Sequence, residues 1–164
     1  MGFSETNKLK QLSLDFGCNI KKLSYHFLKK RIKKNEGFSI KPYSDKLGFF
    51  TIGFGHLILP NEKHLIKKKI NKKQLEKIFI NDFNKVLNEF NLYLRPITFN
   101  KKDSELLIEM IFQMGISRVL KFKKLLYHMS NRNKHLVCFE MMKSLWYKQT
   151  PNRVKNLIII FLKK

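Results

Sequence analysis

The sequence predicts an α+β fold: mostly helical, with a small antiparallel β-sheet lobe joined by a long helix to a helical lobe. Three observations carry that prediction. Apolar residues recur at helical spacing over most of the 164 positions. Residues 49–54 break that rhythm with β-formers punctuated by glycine. Between Asn71 and Pro96 an apolar stripe runs unbroken, enough for a helix of about 20 residues and about 30 Å.

Taken in order, residues 20–35 read as a basic amphipathic helix. Ile20, Leu23, Phe27 and Ile32 fall near one stripe and Lys and Arg fill the rest. Gly37 is its C-terminal stop. Glu36 therefore sits in the last turn, where the helix dipole is negative and disfavours an anion. An acid kept against its local preference calls for a functional reason. Asp45 to Gly48 is turn-like, and Phe49, Phe50, Thr51, Ile52 and Phe54 then form a small antiparallel sheet that ends near Pro60. Gly53 and Gly55 inside the run suggest close backbone approach or a bulge.

Asn71 suits the N-cap of a long helix over about 72–93, with Leu75, Ile78, Phe79, Phe83, Val86, Leu87 and Phe90 as its stripe. A second helix fits about 103–114, with Leu106, Leu107, Met110 and Ile111 buried and Gly115 ending it. Further helices fit 118–129, 133–143 and 151–163. Pro151 suits the first turn of the last of these, with Thr150 as its cap. There is no internal repeat and no flexible linker.

Composition bounds the function. Apolar residues make up 43% and 15 residues are Phe, enough for a packed core and unlike a disordered chain. The net charge is +22. Residues 1–34 carry nine basic and two acidic groups, and residues 116–164 carry twelve basic groups and one acid, Glu140. Such a surface attracts polyanions such as nucleic acid, anionic lipid or an anionic bacterial envelope. An AT-rich genome, which favours Lys, Asn, Ile and Phe, produces the same excess.

Cys18 and Cys138 have neither CxxC spacing nor a neighbouring His pair, so they read as free thiols or one long-range disulfide. No HExxH is present, and neither a metal nor a cofactor is implied. No apolar segment of adequate length follows the first lysines, so no secretion signal is expected. The opening Met-Gly-Phe-Ser-Glu-Thr fits the loose myristoylation pattern. The longest apolar run, residues 157–162, is too short to span a membrane. The Phe residues lie at core-like spacing rather than on a stacking platform, and no DNA-binding motif is present, so no specific nucleic-acid partner is expected.

The chemistry concentrates at Glu36 and Asp45, the two carboxylates between residues 16 and 61. One lies at a helix end and the other in the turn leading to a hairpin. A sheet folded beside that helix would put both on one cleft wall. Two carboxylates across a cleft can cleave a glycosidic bond, one delivering a proton to the leaving oxygen and the other activating water or stabilising positive charge on the sugar. Thr51, six positions after Asp45, offers a hydroxyl that could fix a water. Taken singly, each has a plainer reading: a solvated Glu, a turn-forming Asp, a β-forming Thr, and in His56 a structural hydrogen-bonder. The joint spacing carries the argument.

That spacing is where a resemblance enters. Glu36-Gly37, then Tyr43-x-Asp45, Gly48 and Thr51-Ile52-Gly53-x-Gly55-His56 resemble the catalytic segment of the phage-type lysozymes (muramidases or endolysins). Far downstream, Phe112-Gln113-Met114-Gly115 and Trp146-Tyr147-Lys148-Gln149-Thr150-Pro151-Asn152-Arg153 are similar to the T-even bacteriophage branch of that family. The match covers roughly residues 27 to 161 and implies a lysozyme-like fold. It implies that Glu36 is the general acid, that Asp45 positions or activates the attacking water, and that Thr51 holds that water. It implies Leu57, Phe112 and Gln113 as substrate contacts, an ion pair of His56 with Asp82, and Arg153 paired with Glu36. The implied reaction is hydrolysis of the β-1,4 bond between N-acetylmuramic acid and N-acetylglucosamine in peptidoglycan, with inversion, by a monomer that lyses bacterial cells. If the chain is a phage endolysin, it would wait in the host cytoplasm for holin-dependent release.

Set against the family, residues 1–26 form a basic N-terminal extension and residues 27–164 the domain. The sheet lobe covers about 37–70, the linking helix about 72–93, and the helical lobe about 96–164 together with the N-terminal helix. The interval from His56 to Asn71 is short for the T-even branch, as it is in other members. A closing segment of that branch is expected to be missing after Lys164, and the extension is expected to cover the exposed surface through Leu12, Leu14 and Phe16. Anionic envelope polymers are the partners the charge adds to peptidoglycan. The alternative is a non-enzymatic cationic protein that binds bacterial envelopes with a decayed site, and the intact Glu36, Asp45 and Thr51 argue against decay.

Overall fold

The computed structural model describes residues 25–44, 48–67, 69–94 and 99–163. Asp45, Cys18, residues 20–24 of the expected first helix, and Leu12, Leu14 and Phe16 lie outside the described residues. The architecture is α+β, with a three-stranded antiparallel sheet and a surrounding majority of helix.

Helix α1, His26–Glu36, buries Leu28 and Ile32 against a later helix. Phe27, expected on the buried stripe, is 77% exposed. Leu28 and Ile32 are four residues apart and share a face, whereas Phe27 is five from Ile32 and turns away. Gly37 ends α1 at φ 74°, a left-handed value that costs glycine little.

The sheet comprises β1 Ser39–Ser44, β2 Phe50–Gly53 and β3 His56–Leu57, in that spatial order. It begins earlier than the β-formers suggest, because β1 carries Pro42 and Lys41 and lacks their pattern. Tyr43 pairs with Thr51 and Thr51 with Leu57, so these three share one face. Ile52 pairs with His56 on the opposite face, where Ile52 joins Leu65, Ile70 and Leu75 in a small core. A turn of 3-10 helix, Pro60–Glu62, and the short α2, His64–Lys67, complete this lobe.

Helix α3 spans Lys72–Tyr93. Its start is fixed by a reciprocal capping box: Gln74 N–H donates to Asn71 Oδ1 at 2.9 Å, and Asn71 N–H donates to Gln74 Oε1 at 2.9 Å. Leu75 enters the small core, while Phe79, Phe83 and Phe90 enter the main one. Helix α4, Lys101–Met114, is capped the same way by Asn100 and Asp103 and buries every residue from Leu106 to Ile111, as the central helix of a bundle must.

The expected helix over 118–129 is two helices, α5 Ile116–Val119 and α6 Lys123–Ser130. The break between them lets Phe122 set its ring edge-on to Trp146, centroids 6.4 Å apart. After α7, Lys134–Lys143, a further short helix α8, Leu145–Gln149, is capped by Ser144 and has no counterpart in the sequence reading. Helix α9, Pro151–Leu162, starts on its proline. Thr150 does not cap it: its hydroxyl donates back to the Trp146 carbonyl at 3.1 Å. No described helix is long and apolar enough to cross a membrane.

Candidate active site

Glu36 is the last residue of α1, and Lys33 and Lys34 in the same turn offset the unfavourable dipole. Its Oε1 accepts a hydrogen bond from Arg153 Nη1 at 2.8 Å, across 117 positions of sequence. Its Oε2 faces Gly55, where an added Cβ would stand 3.6 Å away. Gly55, at φ 80°, and Gly53, at φ 67°, shape the turn after β2. The close approach that these glycines allow is to the protein's own side chains. Gly55 meets Glu36, and a Cβ on Gly53 would stand 3.3 Å from Leu75 Cδ2.

Arg153 is itself nearly enclosed, its side chain 11% exposed. Its Nη2 lies 3.7 Å from Oε1 of Glu109, a carboxylate with no exposed surface in the middle of α4. Glu109 also accepts from Arg31 Nε at 2.6 Å and from Asn35 Nδ2 at 2.8 Å. Arg31 reaches Glu105 at 3.9 Å as well. Sequence reasoning passed over Arg31, Asn35 and Glu109. One signal was available: Glu109 interrupts Leu106-Leu107-Ile108 and Met110-Ile111, and a charge inside a fully apolar run is almost never buried unpaired.

Thr51 lies half-buried on β2 with its hydroxyl 3.4 Å from the Tyr43 carbonyl, a long donor contact. Leu57 stands opposite it on β3, 44% exposed. Leu57 and Phe112 line one hollow of about 260 Å³ with Gly55, His56, Asp82 and Val86. That hollow runs between the sheet lobe, α3 and α4, and Gly55 connects it to Glu36. Gln113 borders a different hollow, with Met114, Arg118, Trp146 and Gln149. Its amide is already engaged, Oε1 accepting from Trp146 Nε1 at 2.8 Å and Nε2 donating to Thr150 Oγ1 at 3.5 Å.

His56 is buried and bridges two carboxylates. Nδ1 lies 2.7 Å from Asp82 Oδ2 and Nε2 lies 3.1 Å from Glu62 Oε2. The arrangement suits the imidazolium, whose two N–H groups each face an acceptor. The hydrogen bond to Asp82 raises the His56 pKa above its usual 6.5, outweighing the burial that would lower it. Burial alone would raise the Glu62 pKa, yet the Leu59 N–H and His56 together bring it below 4.5. Glu62 was not anticipated; it lies in the 3-10 turn and accepts from Leu59 N–H at 3.1 Å.

The phage lysozyme family model matches residues 33–159. Over 157 residues the chain is 31% identical to "Probable T4-type lysozyme 2" of Dictyostelium discoideum, covering 82% of this chain and 92% of that protein. "Probable T4-type lysozyme 1" of the same organism is also 31% identical, over 81% of this chain and 92% of its own length. The "Pre-baseplate central spike protein Gp5" of Enterobacteria phage T4 is 28% identical over 153 residues, which are 80% of this chain and 27% of that protein.

Proposed function

The chain belongs to the phage lysozyme family, a family of lysozyme-like peptidoglycan hydrolases, and on that premise we propose that it cleaves the β-1,4 bond between N-acetylmuramic acid and N-acetylglucosamine with inversion. Glu36 is the general acid. Asp45 orients and deprotonates the attacking water, and Thr51 holds that water. Inversion asks for carboxylates far enough apart to leave room for the water between acid and base.

The observation that carries this reading is the Glu36 carboxylate itself: fixed on one oxygen by Arg153, and bordered on the other by the Gly55 turn that opens into the hollow of Leu57 and Phe112. An acid held in one rotamer at the wall of a groove can meet a leaving oxygen without reorganising. His56, Asp82 and Glu62 tie the sheet lobe to the long helix from which that groove is built.

The test is loss of turbidity of purified cell walls, wild type beside Glu36→Gln at low salt. Wild type clears the walls, and the variant clears them about 10²–10⁴-fold more slowly. Equal clearing by both would remove Glu36 from the chemistry. The net charge of +22 supports a second element of the reading, retention on anionic envelope polymers. Clearing then weakens steeply as salt rises through the range where the Debye length shrinks to about 8 Å. A rate indifferent to salt would sink that use of the charge. Envelope binding by Glu36→Gln without any hydrolysis by wild type would favour a non-enzymatic cationic binder.

A further inference from the structure

We propose that Glu109 is a positioning residue that sets how firmly Arg153 holds the Glu36 carboxylate, and so the pH up to which Glu36 can serve as the acid; this rests on the reading of Glu36 given above. Glu109 lies entirely inside the protein on α4. A carboxylate there is stable only if its charge is matched and its lone pairs are filled. Arg31 and Asn35 of α1 do most of that, and Arg153 of α9 does the rest at 3.7 Å.

Arg153 therefore serves two anions. Nη1 goes to Glu36, and Nη2 leans toward Glu109 without closing a hydrogen bond. Among the described residues neither Nη2 nor Nε has a hydrogen-bond partner. The groups converging here are Arg31, Asn35 and Glu36 from α1, Glu105 and Glu109 from α4, and Arg153 from α9. Two cations face three carboxylates. Glu36, at 21% exposure, is the most open of the three.

The electrostatic consequence has a definite sign. A lone arginine beside a carboxylate favours its ionised form. An inner anion that takes part of that arginine's field, and adds a like charge of its own, opposes this. Glu109 thus counters the tendency of Arg153 to strip the proton that Glu36 must deliver. Arg31 acts the other way: by neutralising Glu109, it frees Arg153 for Glu36.

The two neighbours can be changed in opposite directions. Glutamate side chains labelled with ¹³C at the carboxyl carbon would be titrated by NMR in wild type, Glu109→Gln and Arg31→Gln, the Glu36 signal being assigned by its loss in Glu36→Gln. Glu109→Gln should lower the Glu36 midpoint. Arg31→Gln should raise it. Both should lower the melting temperature. The alkaline limb of the pH profile of kcat/KM on cell walls should follow each midpoint. Melting temperatures that fall while the midpoint stays, or midpoints that move in the same direction in both variants, would overturn the proposal and leave Glu109 a structural residue. Midpoints that move as expected without the alkaline limb would uphold the coupling and refute Glu36 as the acid. Should Glu109→Gln not fold, Glu109→Asp withdraws the charge from Arg153 by one methylene while preserving it, and Arg31→Gln still reports the sign.

Discussion

Two clusters in this molecule share a plan: a cation held between two carboxylates. At the sheet lobe His56 lies between Asp82 and Glu62. At the helical lobe Arg153 lies between Glu36 and Glu109. They differ in which member can change charge. In the first the cation is a histidine, which can lose its charge, and its hydrogen bond to Asp82 holds the proton on it to higher pH than usual. In the second the guanidinium keeps its charge at every ordinary pH, so only the carboxylates can respond. The histidine cluster is a pH-sensitive clasp between the sheet lobe and the long helix. The arginine cluster is a permanent charge whose reach is divided.

The sharpest way to break this comparison is to remove the permanent charge. Arg153→Met should cost about 3–5 kcal/mol, because Glu109 loses part of its compensation inside the core. Denaturant unfolding measures it, and a loss under about 1 kcal/mol would mean that Arg31 and Asn35 suffice for Glu109.

Asp82→Asn tests the clasp and has a smaller effect, about 2 kcal/mol. Its pH dependence separates the clusters. The folded-state pKa of His56 is raised, so its stabilisation is complete below pH 6.5 and is lost as pH rises through that raised value. Glu62 has the opposite sign: its contribution holds above pH 4.5 and is lost as pH falls through its lowered value. The stability gap between wild type and Asp82→Asn should therefore shrink in urea melts as pH rises above 6.5 and through the raised His56 value. A gap that widened with pH would mean that the imidazole is neutral in the clasp.

Gly55→Ala should have the least effect on stability, roughly 1 kcal/mol, from placing a Cβ at φ 80°. Gly55 adjoins His56 in sequence and Glu36 in space. Wall clearing should fall further than stability does, since the new methyl sits against the Glu36 carboxylate. Equal proportional losses would show that the turn merely fills space.

Legibility in the sequence followed the range of the interactions. The long helix was readable almost to the residue, because Asn71 and Gln74 fix its start within four positions and Pro96 ends the favourable pattern. Gly37 and Gly115 marked helix ends for the same local reason. The split between α5 and α6 was invisible: what accompanies it is an edge-on contact of Phe122 with Trp146, 24 positions away. So was α8, whose cap Ser144 lies in a stretch without strong periodicity. At the site, Glu36, Asp45 and Thr51 stand within 16 positions of one another, so their spacing could be read locally, and Asp45 lies outside the described residues. The link from residue 36 to residue 153 came from the resemblance alone, since no spacing rule reaches across 117 positions. Glu109 had a local signal, a charge in an apolar run, but its partners are 78 and 74 positions away.

The long helix carries one more consequence. Leu75 belongs to the small core and Phe79 to the large one, a single turn apart on the same rod. The seam between the two halves thus falls inside a helix rather than in a loop. A graft or genetic exchange that cuts at the loop near residue 70 would separate Leu75 from Ile52, Leu65 and Ile70, leaving each parent's filling beside the other's mould. The transferable piece is the sheet with the opening turn of α3 attached, and chimeras joined between residues 75 and 79 are the ones whose interiors would match.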